Sequence, residues 1–187
     1  VKDQMKKNKW GMETLKLSTL IAEDEINKRV ASLGAELTKK FKDKPLVAIC
    51  VLKGSVMFFA DLIRHIDTDV TCEFLGVSSY NNAMKSSGEI KVTLDLSTPV
   101  EDKHVLLVED IVDTGLTMNY LVQMLQARKP KSISTIALLH KPEAVQMPLK
   151  LDHVGFEIAN EFVVGYGLDY QGYYRNLPFI AQVQNIQ

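Results

Sequence analysis

Cysteine is scarce in this 187-residue chain, which has two, and tryptophan scarcer, with one. Cys50 and Cys72 lack CxxC spacing and no clustered histidine joins them, which excludes a disulfide scaffold and a Cys/His metal site. Both fall in apolar segments and are expected to be reduced, buried thiols. Ten glycines and six prolines are too few for a collagenous or low-complexity chain. Neither charge dominates: 22 basic and 23 acidic side chains leave a formal net charge of -1, so the chain has no global cationic footprint for nucleic acid. No apolar run approaches the roughly 20 residues of a membrane-spanning helix, and residues 1–10 lead into no signal-peptide core. The expected setting is the cytoplasm, without membrane or nucleic-acid partners.

What is present is enough apolar residue, 46% of the chain, for one domain with a substantial core. The opening segment Val1–Gly11 is polar and lysine-rich, and residues 1–20 are expected to form a mobile arm ahead of a single domain over 21–187. Ile26, Val30, Leu33, Leu37 and Phe41 recur at spacings of three and four, which predicts an amphipathic helix ending near 42–45. Leu46–Leu52 is a continuous apolar run, the pattern of a strand buried on both faces. A helix over 56–66, strands over 70–77, 90–96, 104–108 and 132–139, and a helix over 116–127 follow. This alternation predicts an α/β fold with a largely parallel sheet. Residues 78–88 read as a functional loop. After Pro142 come short strands at 152–158 and 161–166, then an aromatic, polar tail; with no repeat and no linker, one core with a smaller hood or flap is expected.

The chemistry concentrates in Val105–Thr117, where a hydrophobic strand runs into Glu109, Asp110 and Asp113 and then a Gly/Thr turn that opens a helix. In open α/β sheets ligands bind at that end of the strands. Adjacent carboxylates can accept hydrogen bonds from vicinal hydroxyls, and the N–H groups of the Asp113, Thr114, Gly115, Leu116, Thr117 turn, with a helix N-terminus behind them, form an anion site. A ribose 5-phosphate group meets both requirements. The Walker A spacing is absent, and Gly165-Tyr166-Gly167 is no dinucleotide fingerprint, which disfavours an ATPase or a dehydrogenase.

Val108–Thr117 resembles the phosphoribosyl-pyrophosphate signature of the type I phosphoribosyltransferases. The resemblance is closer to the hypoxanthine (hypoxanthine-guanine) phosphoribosyltransferases, through Leu52–Ser55, Ser78–Tyr80, Glu109–Thr117, Lys141 and Phe162–Tyr170 with Arg175. It spans roughly Ile21 to the C-terminus. It implies the type I fold, with a central sheet flanked by helices and a hood over the purine site. It also implies transfer of a 5-phosphoribosyl group from phosphoribosyl pyrophosphate to N9 of a 6-oxopurine.

The roles it implies are specific. Glu109 and Asp110 meet the ribose, and Asp113 is the general base at purine N7 as well as part of the 5'-phosphate turn. Lys141 donates to O6, which rejects adenine because an amino group cannot accept from an ammonium. Phe162 stacks on the base, Val163 meets its edge through backbone groups, and Asp169 lies beside base, pyrophosphate and metal. Lys53, Gly54 and Arg175 hold pyrophosphate, with a cis peptide at Leu52–Lys53. Ser79 and Tyr80 belong to a lid that excludes water. Mg²⁺ is the implied cofactor, served by Glu109, Asp110 and Asp169 partly through substrate and water, in a homodimer or homotetramer. Ser55 and Leu116 depart from relatives that carry glycine and lysine there. Two rivals share the phosphate signature: a phosphoribosyl-pyrophosphate sensor that binds nucleic acid, and an adenine or pyrimidine transferase. The first needs a lost base or an added DNA-binding segment; the second should lack Lys141 and the Phe162–Tyr170 arrangement.

Overall fold

The computed structural model describes residues 15–79 and 90–184, with the side chain of Ser79 outside that description. Side-chain alternation in β2 (Leu46–Leu52) decides the layering. Ala48 and Cys50 enter one core cluster, while Val47, Ile49 and Val51 enter another on the opposite face. A strand that is apolar on both faces must be covered on both. Helices α1 (Glu23–Lys40) and α2 (Val56–Ile63) cover the first face, and α3 (Leu116–Gln126) the second. The start of α1 is fixed by charge and capping: Glu23, Asp24 and Glu25 occupy its first turn, and the Glu25 carboxylate accepts the Ala22 N–H at 3.0 Å. Carboxylates there complement the helix dipole.

The remaining strands of the main sheet are β3 (Val70–Ser79), β4 (Ile90–Leu94), β5 (His104–Val112), β6 (Ser132–His140) and β7 (His153–Glu157). Their order is β4-β3-β2-β5-β6-β7, parallel throughout except for the antiparallel β3–β4 pair. From β2 the chain moves outward to β3 and β4, then returns to the other side of β2 as β5. The strand order thus reverses between β2 and β5, and a crevice opens at their C-terminal ends.

The hood is a second, three-stranded antiparallel sheet of β1 (Leu17–Ile21), β9 (Ile180–Val183) and β8 (Val163–Val164), in the order β1-β9-β8. Ile21, Val163, Tyr166, Leu168 and Ile180 are buried in the same cluster as Cys50, Phe58 and Leu106. Hood and sheet therefore share one core.

Several expectations shift. The boundary at residue 21 falls inside β1, because residues 17–21 pair with β9; the domain reaches at least to Leu15, which is buried, and residues 1–14 lie outside the described residues. The strand expected to stop at Val108 continues to Val112, because Glu109, Ile111 and Val112 still pair with β6. β3 likewise runs through Ser78 and Ser79, paired with Lys91 and Ile90; Tyr80 and the rest of the expected lid lie outside the described residues. Cys72 is exposed, not buried, on a stretch of β3 where Phe74 is also 40% exposed despite its ring contact with Phe59 of α2. Among the described residues no helix is long and apolar enough to cross a membrane.

Because Ile180 is fully buried in the shared core, Ile180→Ala should cost about 2–5 kcal/mol of global stability. Urea unfolding followed by circular dichroism should remain a single transition with a lower midpoint. A separate early hood transition would contradict the shared core.

Candidate active site

The crevice between β2 and β5 is lined by backbone on one side and carboxylates on the other. β2 ends in the cis Leu52–Lys53 peptide that the resemblance implies. Gly54 follows beside Asp110, so close that a methyl group at position 54 would collide with the carboxylate. Ser55 is buried and its hydroxyl donates to the Val51 carbonyl at 2.5 Å, so the residue that departs from glycine closes the loop internally. The Ser55 hydroxyl also lies 3.2 Å from Cys50 Sγ. Burial pushes that thiol up to about 11, which leaves it a packing group.

Glu109 is buried, and its Oε2 has no hydrogen-bond partner. Burial, and then the Asp110 carboxylate next to it, push its pKa well above the ordinary value. Leaving a carboxylate oxygen buried and unpaired is costly, which marks Glu109 as a group awaiting a ligand. Asp110 accepts the Ile111 N–H at 2.8 Å. Glu109 and Asp110 both line a pocket of about 310 Å³ that also includes Lys53, Gly54, Thr117, Asp169 and Arg175. The sequence-predicted ribose, pyrophosphate and metal residues thus meet in one place. Ser78, Ile90 and Ile111 line it as well; as ordinary strand residues they carry no sequence signal.

A second pocket, of about 90 Å³, is formed by Glu109, Ile111–Gly115, Thr117 and Met118. Gly115 caps α3 in the left-handed conformation at φ 82°, a geometry glycine adopts without steric cost. The start of α3 therefore stands at this pocket, where an anion site calls for a helix N-terminus, although Leu116 is not among the lining residues and its N–H donates to Thr114 Oγ1 at 3.4 Å. Leu116 is 38% exposed.

The next strand supplies the remaining polar group. Lys141 follows β6, its N–H donates to the Val112 carbonyl at 2.9 Å, and its ammonium lies 3.3 Å from Asp113 Oδ2. The lysine side chain is 8% exposed against 48% for Asp113, so a nearly buried cation faces a half-open carboxylate. Phe162 is 43% exposed, with its ring edge-on to Tyr170 at 6.0 Å and its carbonyl accepting the Val183 N–H at 2.9 Å. Val163 is buried in β8. Asp169 pairs with Arg175 through Oδ1 and accepts the Gly172 N–H through Oδ2 at 2.7 Å. His140, given no role from the sequence, has a buried Nδ1 without a hydrogen-bond partner, 3.7 Å from Glu157. Also missed was the hydrogen bond from the Tyr166 hydroxyl to Asp61 at 2.7 Å, between residues 105 apart. Such a pairing has no local pattern to betray it.

The Glu109 burial has a measurable consequence. A carboxyl whose pKa is raised on folding destabilises the native state increasingly as pH climbs from its ordinary value of 4.5 towards the raised one. Glu109→Gln should therefore raise stability at neutral pH by about 1 kcal/mol, or about 2–4 °C in Tm for a chain of this length. Thermal melts at about pH 4, where the carboxyl is mostly protonated in both states, should show little difference.

A model of the phosphoribosyl transferase domain matches residues 18–171. The hypoxanthine-guanine phosphoribosyltransferase of Bacillus subtilis is 53% identical over 162 residues, covering 87% of this chain and 90% of that protein. A crystal structure of a hypoxanthine phosphoribosyltransferase from Staphylococcus aureus superposes with a TM-score of 0.86 at 44% identity, over 91% of this chain and 92% of the other. The Trypanosoma cruzi hypoxanthine phosphoribosyltransferase in complex with the product IMP gives 0.85 at 41% identity, over 93% and 97%. Crevice, fold and relatives agree: the chain belongs to the phosphoribosyltransferase family, in its hypoxanthine-guanine branch.

Proposed function

We propose that the protein transfers the 5-phosphoribosyl group of phosphoribosyl pyrophosphate to N9 of hypoxanthine, and of guanine, giving IMP or GMP and pyrophosphate through an oxocarbenium-like transition state. The observation that carries this reading is the 3.3 Å contact between Asp113 and Lys141. It joins the end of β5, with its diol and phosphate groups, to the end of β6, with its base-reading cation.

An ammonium has three donors, so Lys141 can keep Asp113 and still donate to purine O6. Adenine presents an amino group there and leaves that donor unmet, which is where discrimination arises. Asp113 accepts the proton from purine N7 as N9 bonds to the anomeric carbon and the bond to pyrophosphate breaks. Phe162 stacks on the base, and Val163 meets its edge through the backbone. Glu109 and Asp110 receive the ribose hydroxyls, and the Asp113, Thr114, Gly115, Leu116, Thr117 cradle receives the 5'-phosphate. Lys53, Gly54 and Arg175 hold the pyrophosphate, and Asp169 orients Arg175 and borders the base. Ser79 and Tyr80 are assigned to a lid that keeps water from the electrophilic sugar. Positioning and charge stabilisation supply most of the catalysis.

The donor set fits magnesium: a buried, unpartnered Glu109 oxygen beside a second carboxylate offers only oxygen ligands, as a hard cation prefers. Glu109, Asp110 and Asp169 would hold Mg²⁺, partly through substrate oxygens and water; among the described residues no three such side chains converge on one point. When bound, it supplies positive charge to the departing pyrophosphate. A cytoplasmic homodimer or homotetramer completes the proposal.

Initial rates with phosphoribosyl pyrophosphate, Mg²⁺ and each of hypoxanthine, guanine, xanthine and adenine test the reading. Turnover is expected with hypoxanthine or guanine and little with adenine, and Asp113→Asn should lower kcat at least about tenfold. Lys141→Gln should cut kcat/KM for hypoxanthine by more than about tenfold and narrow the gap to adenine. Preferred use of adenine, or tight phosphoribosyl pyrophosphate binding without turnover of any purine, would overturn it.

A further inference from the structure

Tyr166 stands between Gly165 and Gly167, and all three have positive φ, at 101°, 48° and 100°. For a bulky side chain that backbone persists only where the surroundings fix it. Here the ring is buried in the core shared by hood and sheet, and the Tyr166 N–H donates to the Leu177 carbonyl at 2.8 Å. The hydroxyl donates to Asp61 Oδ2 at 2.7 Å, and burial, together with that carboxylate, pushes the phenol pKa up so that it stays a donor. Asp61 belongs to α2, the helix that starts directly after Lys53, Gly54 and Ser55.

The backbone of the same turn reaches the other side of the crevice. Gly167 donates its N–H to the Arg175 carbonyl at 2.9 Å and accepts from the Arg175 guanidinium, which in turn pairs with Asp169. Its α-carbon lies against the Gly54 carbonyl, leaving no room for a methyl group. One turn is thus fastened to α2 by its side chain, and to Gly54 and Arg175 by its backbone. Lys53–Gly54 and Asp169–Arg175, which line the 310 Å³ pocket together, are tied to that turn from both directions.

We propose that Tyr166 and Asp61 are positioning residues whose hydrogen bond sets the spacing between Lys53–Gly54 and Asp169–Arg175, and thereby the grip on the pyrophosphate group. Neither residue touches that group. The inference rests on the assignment of the pocket made above, and it divides the site: the pyrophosphate half depends on the Tyr166–Asp61 bond, whereas Asp113 and Lys141 are held by β5 and β6.

Tyr166→Phe removes the hydroxyl alone, Asp61→Ala removes the acceptor, and Asp61→Asn keeps one. Asp61 is part-exposed, with 39% of its side chain accessible, so its variants should fold. Tyr166→Phe and Asp61→Ala should each raise KM for phosphoribosyl pyrophosphate, and the Kd for pyrophosphate measured calorimetrically in magnesium buffer, about threefold to tenfold, as expected for one lost hydrogen bond. In both, kcat and KM for hypoxanthine should stay within about twofold, and Asp61→Asn should restore near wild-type values, while the Tyr166→Phe/Asp61→Ala double variant should be no worse than either single one. A lower Tm with unchanged KM and pyrophosphate Kd, or a loss confined to kcat, would overturn the proposal. Absence of turnover in the wild-type protein would instead defeat the assigned function, while the pyrophosphate titrations would still decide the role of the bond.

Discussion

The structure turns on a place where three stretches of chain approach one another more closely than side chains allow. Gly54 lies against the Asp110 carboxylate, and Gly167 lies against the Gly54 carbonyl. Glycine at both positions brings the end of β2, the carboxylates of β5 and the hood turn to one point. Without that approach the crevice would still exist as a product of strand order, but Lys53, Glu109, Asp110, Asp169 and Arg175 would not share a single pocket. The polar groups of the site are thus held by close packing at two glycines, one against a carboxylate and one against backbone, and such packing transmits strain with little give.

Around that point the protein tolerates electrostatic arrangements that a purely structural core avoids. Glu109 is buried beside another carboxylate with one oxygen unpaired, and Lys141 is nearly buried with Asp113 as its partner. A ligand that brings hydroxyls, a cation or a carbonyl oxygen satisfies what folding leaves unsatisfied. Binding energy is prepared in advance at the expense of stability, as functional sites commonly require.

Much of this was legible in the sequence because it is local. The apolar runs of β2, β5 and β6 announce strands buried on both faces, and acids followed by a Gly/Thr turn announce a ligand site wherever the strand happens to end. Spacing alone did not assign Lys141, Phe162, Asp169 or Arg175; the roles expected of them rest on resemblance to a family, and the Lys141–Asp113 and Asp169–Arg175 pairings are products of tertiary structure. β1 and β9 escaped because they are short, five and four residues, and each makes sense only as the other's partner. Cys72 was misplaced because period and composition do not say how far a helix reaches across a sheet. Asp61 looks like any acid on the outer side of a helix until the Tyr166 hydroxyl is seen beside it.

The pairing of β1 with β9 joins the two ends of the domain in one small sheet. A chain emerging from the ribosome can complete β2 to β6, with the Glu109–Thr117 segment in place, long before Ile180–Val183 exists. The hood must wait for the last strand, because the loop that closes it spans nearly the whole sequence and its entropy is repaid only when β9 arrives. The hood side of the site, with Val163, Asp169 and Arg175, is therefore the last to form during synthesis. It is also the first to be lost to an early stop: a chain ending before residue 180 keeps the turn at Gly115 that opens α3 but lacks the strand that joins β1 to β8.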